Sequence, residues 1–188
     1  MRAMGKSIVW TAALALAAAG LATGNAALGQ SAGSGSALKG HNSNAPVDVS
    51  ADRIEVQDRA DRALLVGNVH VKQEELTLDA PRITVAYASG GQGVTGGNVK
   101  IQRLDAAGGV TMRSPTETAR GDFGVYDLNR KLITLVGGVQ LLRQGNRVDG
   151  QRLVVDLNSG RAVIDGGGPV GGGGRVTGHF TVPQRTAQ

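Results

Sequence analysis

"LLVGNVHV" at residues 64–71 returns seventy residues later as "TLVGGVQL" at residues 134–141. Leu65, Val66, Gly67 and Val69 reappear as Leu135, Val136, Gly137 and Val139. Both phrases are rich in aliphatic residues with a β-strand pattern, and a glycine breaks each one. Four glycines, Gly67, Gly108, Gly137 and Gly166, follow short apolar phrases: "ALLVG", "RLDAAG", "LITLVG" and "RAVIDG". Thirteen residues after the first three stand the small residues Ala80, Gly121 and Gly150, each opening another strand-like phrase. The unit is about 29 residues, from Ala51 to Ala80 and from Gly121 to Gly150. The second unit is longer by twelve, within the glycine-rich "YASGGQGVTGGNVKIQ". Such a period marks an architecture of stacked units, none of which buries its apolar face alone.

The elements are strands. "RIEV", "RITV", "RLVV", "VDVS" and "NVHVK" alternate polar with apolar residues, a period of two. That alternation puts Val47, Val49, Ile54, Val56, Val69, Val71, Leu76, Leu78, Ile83 and Val85 on one face, with Val139, Leu141, Leu153 and Val155 continuing it. Asp48, Glu55, His70, Lys72, Thr77 and Thr84 take the other. One wet face and one apolar face predict an antiparallel sheet covered on one side. A long strand folding over a core has to bend, and glycine at a bulge or corner allows this without a Cβ clash. Gly124 stands where "RIEV" and "RLVV" carry a large apolar residue, so the apolar face there is expected either to leave a wider space or to be filled locally by Phe123 or Tyr126.

Thirty glycines in 188 residues is about twice average usage, consistent with many turns. "MRAMGKS" followed by the apolar "IVWTAALALAAAGLA" and a run of small residues reads as a signal peptide, residues 1–29. Beyond it, 18 basic residues face 15 acidic ones with the signs interleaved. Such mixing describes a solvated strand face and no nucleic-acid groove. The chain has no cysteine, which rules out disulfides, thiol catalysis and Cys-based zinc. Residues 30–45 read as a flexible linker, 46–166 as the folded domain, and 167–188 as a glycine-rich tail whose "RVTGHFTV" is a candidate edge strand.

Little here suggests catalysis. His41, His70 and His179 fall in the linker, on a wet strand face and in the tail, without metal-ligand spacing. Neither a nucleophile elbow nor a phosphate-cradling loop occurs. The paired acids Glu74–Glu75 and Asp48/Asp52 lie near turns. No catalytic residue, metal or cofactor is expected. A stacked-strand polysaccharide enzyme is the alternative of a different class, yet beyond the signal segment only Tyr87, Phe123, Tyr126 and Phe180 offer aromatic stacking. Periodicity alone leaves the aliphatic face two uses, a closed core or a trough for alkyl chains. A 12-carbon chain would gain on the order of 10 kcal/mol gross in such a trough, at about 0.8 per methylene.

"PVDVSADRIEVQDRADRALLVGNVHVKQEELTLDAPRITV" (46–85) and "ARGDFGVYDLNRKLITLVGGVQLLRQGNRVDGQRLVVDLNSGRAVIDG" (119–166) resemble the OstA-like domain family of lipopolysaccharide transport. The S-A-D-R-I-x-V opening, the G-N-V-x-V phrase and the later Y-D-L-N-R-K-L-x-x-L-x-G-G-V carry the resemblance. It implies an all-β, open-ended antiparallel β-jellyroll, or β-taco, in the periplasm. The resemblance further implies that inward apolar residues bind lipopolysaccharide through lipid A. By this reading the groove comprises the apolar face named above together with Leu65, Tyr126 and Leu135. Family members associate head to tail, here with Val47 and Val49 at one edge and Val163 and Ile164 at the other. The implied partners are an LptC-like inner-membrane subunit and the N-terminal domain of an LptD-like outer-membrane translocon. An LptC-like membrane-anchored subunit shares the fold and is the nearer alternative.

Overall fold

The computed structural model describes residues 38–39, 41–90, 99–167 and 174–182. The expected signal peptide, the middle of the glycine-rich loop and the end of the tail lie outside them. Ten strands make a single antiparallel sheet: β1 (Asp48–Ser50), β2 (Arg53–Gln57), β3 (Arg62–Gln73), β4 (Leu76–Ala88), β5 (Lys100–Arg113), β6 (Glu117–Asp127), β7 (Leu132–Arg143), β8 (Asn146–Asp156), β9 (Arg161–Asp165) and β10 (Thr177–His179). One 3-10 turn, η1 (Asp58–Ala60), joins β2 to β3. Strands β3 to β8 pair in sequence order. Both edges are split: β1 and β2 share the free side of β3, and β9 and β10 share that of β8. The fold is the expected all-β, open-ended jellyroll.

The sheet is folded over on itself, and one hydrogen bond proves it. Tyr126 lies in register with Leu104, Val85 and then Ala63, ten residues along β3 from Gln73. On a flat sheet that interval is roughly 30 Å. The Tyr126 hydroxyl nevertheless donates to Gln73 Oε1 at 2.9 Å, so the two halves of each strand face each other.

The fold line is the row of recurring glycines. Register shifts fall between Val66 and Val69, between Ala107 and Val110, and between Val136 and Val139. At each, β3, β5 or β7 crosses the corner on two residues with positive φ: Gly67–Asn68, Gly108–Gly109 and Gly137–Gly138. The intervening strands cross it with two consecutive outward residues, Pro81–Arg82 on β4, Asp122–Phe123 on β6 and Gln151–Arg152 on β8. Stacked bulges increase the local bend in every strand at the same height. This is the physical content of the repeat: each phrase is one slat creased at its middle. The small residues of the period sit just inside the crease. A Cβ on Gly121 would stand 3.3 Å from Leu135 Cβ and from the Val136 carbonyl oxygen.

Two expectations differ from the structure. Phe123 points outward and is 58% exposed, because it is one of the two outward residues at the crease. The space above Gly124 is occupied by Leu135 and Val110, whose methyls would lie 3.0 and 3.1 Å from an added Cβ. The segment read as a flexible linker also carries buried side chains, with Leu38 4% and Ser43 5% exposed. Leu38 belongs to the main apolar cluster, which gives this glycine-poor end of the segment a reason to stay put.

The C-terminal edge carries a pH dependence. The Arg147 guanidinium beside Asp149 holds its carboxyl below the usual range. Asp156 is lowered by the backbone N–H of Asn158 and by Ser159 at the turn after β8. A carboxylate with a lowered folded pKa stabilises above its unfolded pKa, near 4, and that contribution disappears as pH falls through the folded value. Melting temperatures followed from pH 5 to pH 2 should therefore fall, and Asp156→Asn should flatten part of the fall. An identical slope in that variant would remove Asp156 as a cause.

Candidate functional site

The inner face is built as rows that run across all the strands. One row reads Ile54, Leu65, Ile83, Ala106, Gly124, Leu135, Leu153 and Ile164, each in register with the next. A second reads Val56, Ala63, Val85, Leu104, Tyr126, Ile133, Val155 and Ala162. In the other half of the fold Val49, Val71, Leu78, Met112, Ala119, Leu141 and Val148 make a third. Apolar surface thus continues without a gap from one sheet edge to the other.

Burial along these rows is uneven in a systematic way. Leu65, Val69, Val71, Leu76, Leu78, Ile83, Val85, Tyr126, Leu135, Val139, Leu153 and Val155 are all buried. Val47 and Leu141 are partly buried against that cluster. Val49, Ile54 and Val56 are 40%, 48% and 42% exposed. They face inward by register, but β1 and β2 are edge strands and nothing among the described residues covers them. At the opposite edge Leu141, Val148, Ala162 and Ile164 line a cavity of about 470 Å³ with Val176, Phe180, Arg143 and Asn146. Val163 and Ile164 share strand β9 but not a face. Ile164 completes the first row, while Val163 pairs with Val154 on the outer side.

The sequence reading marks β5 only by the phrase before Gly108 and names none of its inward residues. Leu104, Ala106, Val110 and Met112 are buried, and the alternation in "VTM" after the Gly108 landmark is the signal that would have located the last two. It also missed three polar residues that face inward. Glu117 is 5% exposed and forms an ion pair with Arg143, its register partner on β7. Gln73 is 2% exposed. Its Oε1 accepts from Tyr126 and from His41 Nε2 (3.0 Å), and its Nε2 donates to the Ala45 carbonyl at 2.9 Å. An amide oxygen only accepts, so the His41 nitrogen facing it carries the proton. Burial pushes the Tyr126 phenol up, the Ser43 hydroxyl beside it works the other way, and the Glu74 charge adds to the rise.

Other ion pairs lie on the wet face, such as His70 with Asp79 across β3 and β4 and Arg103 with Asp105 along β5. Among the described residues no group of three or more His, Asp or Glu is placed to hold a metal ion. What the arrangement can do is physical: it offers a long apolar surface, shielded along its length and open at its ends.

Three comparisons bear on this geometry. The family model described as LptA/(LptD N-terminal domain) LPS transport protein matches residues 48–161, which run from β1 into β9. An uncharacterized protein of Rhizobium meliloti (strain 1021) is 34% identical over 155 residues, 80% of this chain and 83% of that one. The crystal structure of LptH, the LptA-homologous periplasmic component of the lipopolysaccharide transport device of Pseudomonas aeruginosa, superposes with a TM-score of 0.62. It covers 76% of this chain and 99% of its own at 18% identity, a likeness of fold. On the family match and the creased, open-ended sheet, the chain belongs to the LptA/(LptD N-terminal domain) family of lipopolysaccharide transport proteins.

Proposed function

We propose that this protein binds lipopolysaccharide in the periplasm, after removal of residues 1–29 as a signal peptide, and carries it between the two membranes without chemical change. The observation that carries the reading is the unbroken inner row from Ile54 to Ile164. An aliphatic row that ends in exposed side chains at one edge and in a cavity at the other suits alkyl chains passed along its length. The groove residues in this reading are the inward set from Val47 to Val155 given by the sequence, extended by the β5 side chains. The same geometry supports head-to-tail assembly as part of this reading. The free sides of β1 and β2, and of β9 and β10, present backbone donors and acceptors, which is the requirement for adding strands from a second copy. An LptC-like subunit and the N-terminal domain of an LptD-like translocon would then cap the two ends.

A photo-crosslinking amino acid placed in turn at Val56, Leu78 and Leu141 tests this, with His70 on the wet face as control. Incubation with lipopolysaccharide should label the three inward positions and spare His70. Equal labelling at all four positions, or none at the inward three in folded protein, would sink the carrier reading.

A further inference from the structure

The inner face is not empty. Leu65, Ile83, Leu135 and Leu153 are 0–1% exposed and pack in the same cluster. For an alkyl chain to reach them, the two halves of the folded sheet must part. Where they part is decided by what holds the open side of the fold, and the structure puts two things there. The first is the Tyr126–Gln73 hydrogen bond, which links the halves directly. The second is a strap, Leu38 and Lys39 with residues 41–47, which lies along the seam. At one end of the strands Leu38, Lys39 and His41 line a cavity together with Glu74, Glu75, Leu76 and Pro115. Further along, Ser43 to Val47 line a second cavity with Val99, Ile101 and Leu128 from the other end. Lys39 reaches the turn after β8, where a Cβ on Gly160 would lie 2.6 Å from its own.

The polar fastening converges on Gln73 and its neighbour Glu74, whose Oε2 accepts from the Asn42 N–H at 3.4 Å and stands 3.7 Å from His41 Nδ1. In β3 the inward series runs Leu65, Val69, Val71, Gln73, so an amide stands where the pattern otherwise places an aliphatic side chain. A buried amide is costly unless its donors and acceptors are satisfied. Here His41, Ala45 and Tyr126 do so. Two of these three partners come from the strap and the third from the opposite half of the sheet. The strap contributes one buried apolar foot, Leu38, with Val47 partly buried at its far end.

We infer that Leu38, Lys39 and residues 41–47 form a displaceable strap, latched by Gln73, that closes the side of the groove and is released when acyl chains enter through the seam. The inference rests on the carrier reading above and adds the route of entry. Lateral entry leaves a charged headgroup in water while the chains go in. Entry at the exposed edge beside Val49, Ile54 and Val56 is the competing route, and it leaves the strap in place.

Hydrogen exchange of the whole protein separates the two. The amides of His41, Ser43 and Ala45 bond within the strap, to the carbonyls of Leu38, His41 and Asn42. With lipopolysaccharide bound they should exchange about tenfold faster or more, while the β7 and β8 amides keep their protection. Gln73→Leu, which restores an aliphatic residue and removes the latch, should free the strap without lipid and raise the initial rate of crosslinking at Leu78 several-fold. Leu38→Asn loosens the strap from its other end with Gln73 intact, and serves if Gln73→Leu folds poorly. Crosslinking at Leu78 with full strap protection would overturn the gate and leave the carrier reading standing, as would a freed strap with unchanged uptake. Absence of crosslinking in the wild-type protein would overturn both.

Discussion

Gly137→Val should lower the stability of the fold by about 3 kcal/mol or more, since it combines a left-handed backbone with a steric collision. Gly137 has φ of +83°, a region that β-branched residues avoid. Its added Cβ would land on the Asp122 carboxylate, 2.9 Å from that residue's Cβ. For a domain of this size the melting temperature should drop by about 6–12 °C, at about 2–4 °C per kcal/mol. The neighbouring position makes the control. Gly138 also has positive φ, +49°, but open space where a Cβ would go. The equivalent position in the first unit is Asn68, at φ +45°. Gly138→Asn should therefore cost only about 1 kcal/mol or less, because asparagine tolerates this conformation. Equal losses in the two variants would mean that the crease does not depend on the residue at its apex.

The second large effect belongs to the middle of the groove. Leu135→Ala should cost about 2–5 kcal/mol, the range for a fully buried leucine, since Leu135 is 0% exposed. Gly124→Ala alone should cost about 1 kcal/mol, because its methyl crowds Leu135 and Val110. Combined, the two changes should cost less than their sum by about 1 kcal/mol, the methyl introduced by Gly124→Ala occupying part of the space that Leu135 leaves. Urea titrations of the four proteins give the coupling directly. Strict additivity would show that Leu135 does not fill the space above Gly124. The same cycle bears on function, for a groove that repacks at this point presents a different width to its ligand.

The family was legible in the chain because its marks are local. The S-A-D-R-I-x-V opening and the glycine landmarks depend on backbone conformation and strand alternation, and both are written residue by residue. The inward assignment of β3, β4, β7 and β8 rested on the same alternation and extends through the register of the sheet. Alternation failed where the crease intervened. On β4 the inward residues are Leu76, Leu78 and Ala80, then Ile83, Val85 and Tyr87, a change of phase hidden inside an apparently regular pattern. On β5 "RLDAAGGV" mixes four small residues, Ala106 to Gly109, into the series, and no period of two stands out.

Exposure was less legible still. Val49, Ile54 and Val56 read like any other inward residues, and only their place on unpaired edge strands leaves them open to solvent. The strap was read as a linker because its composition is polar and aperiodic. Its burial comes from partners about thirty residues or more away, Gln73 among them, which no local pattern encodes. By itself the sequence determined the crease positions, the family and the alternating strands other than β5, since each depends on neighbours within a few residues. Which apolar residues are covered, what closes the seam and where the ends stand open were decided by the tertiary structure, because burial belongs to surfaces that meet only after the sheet has folded over.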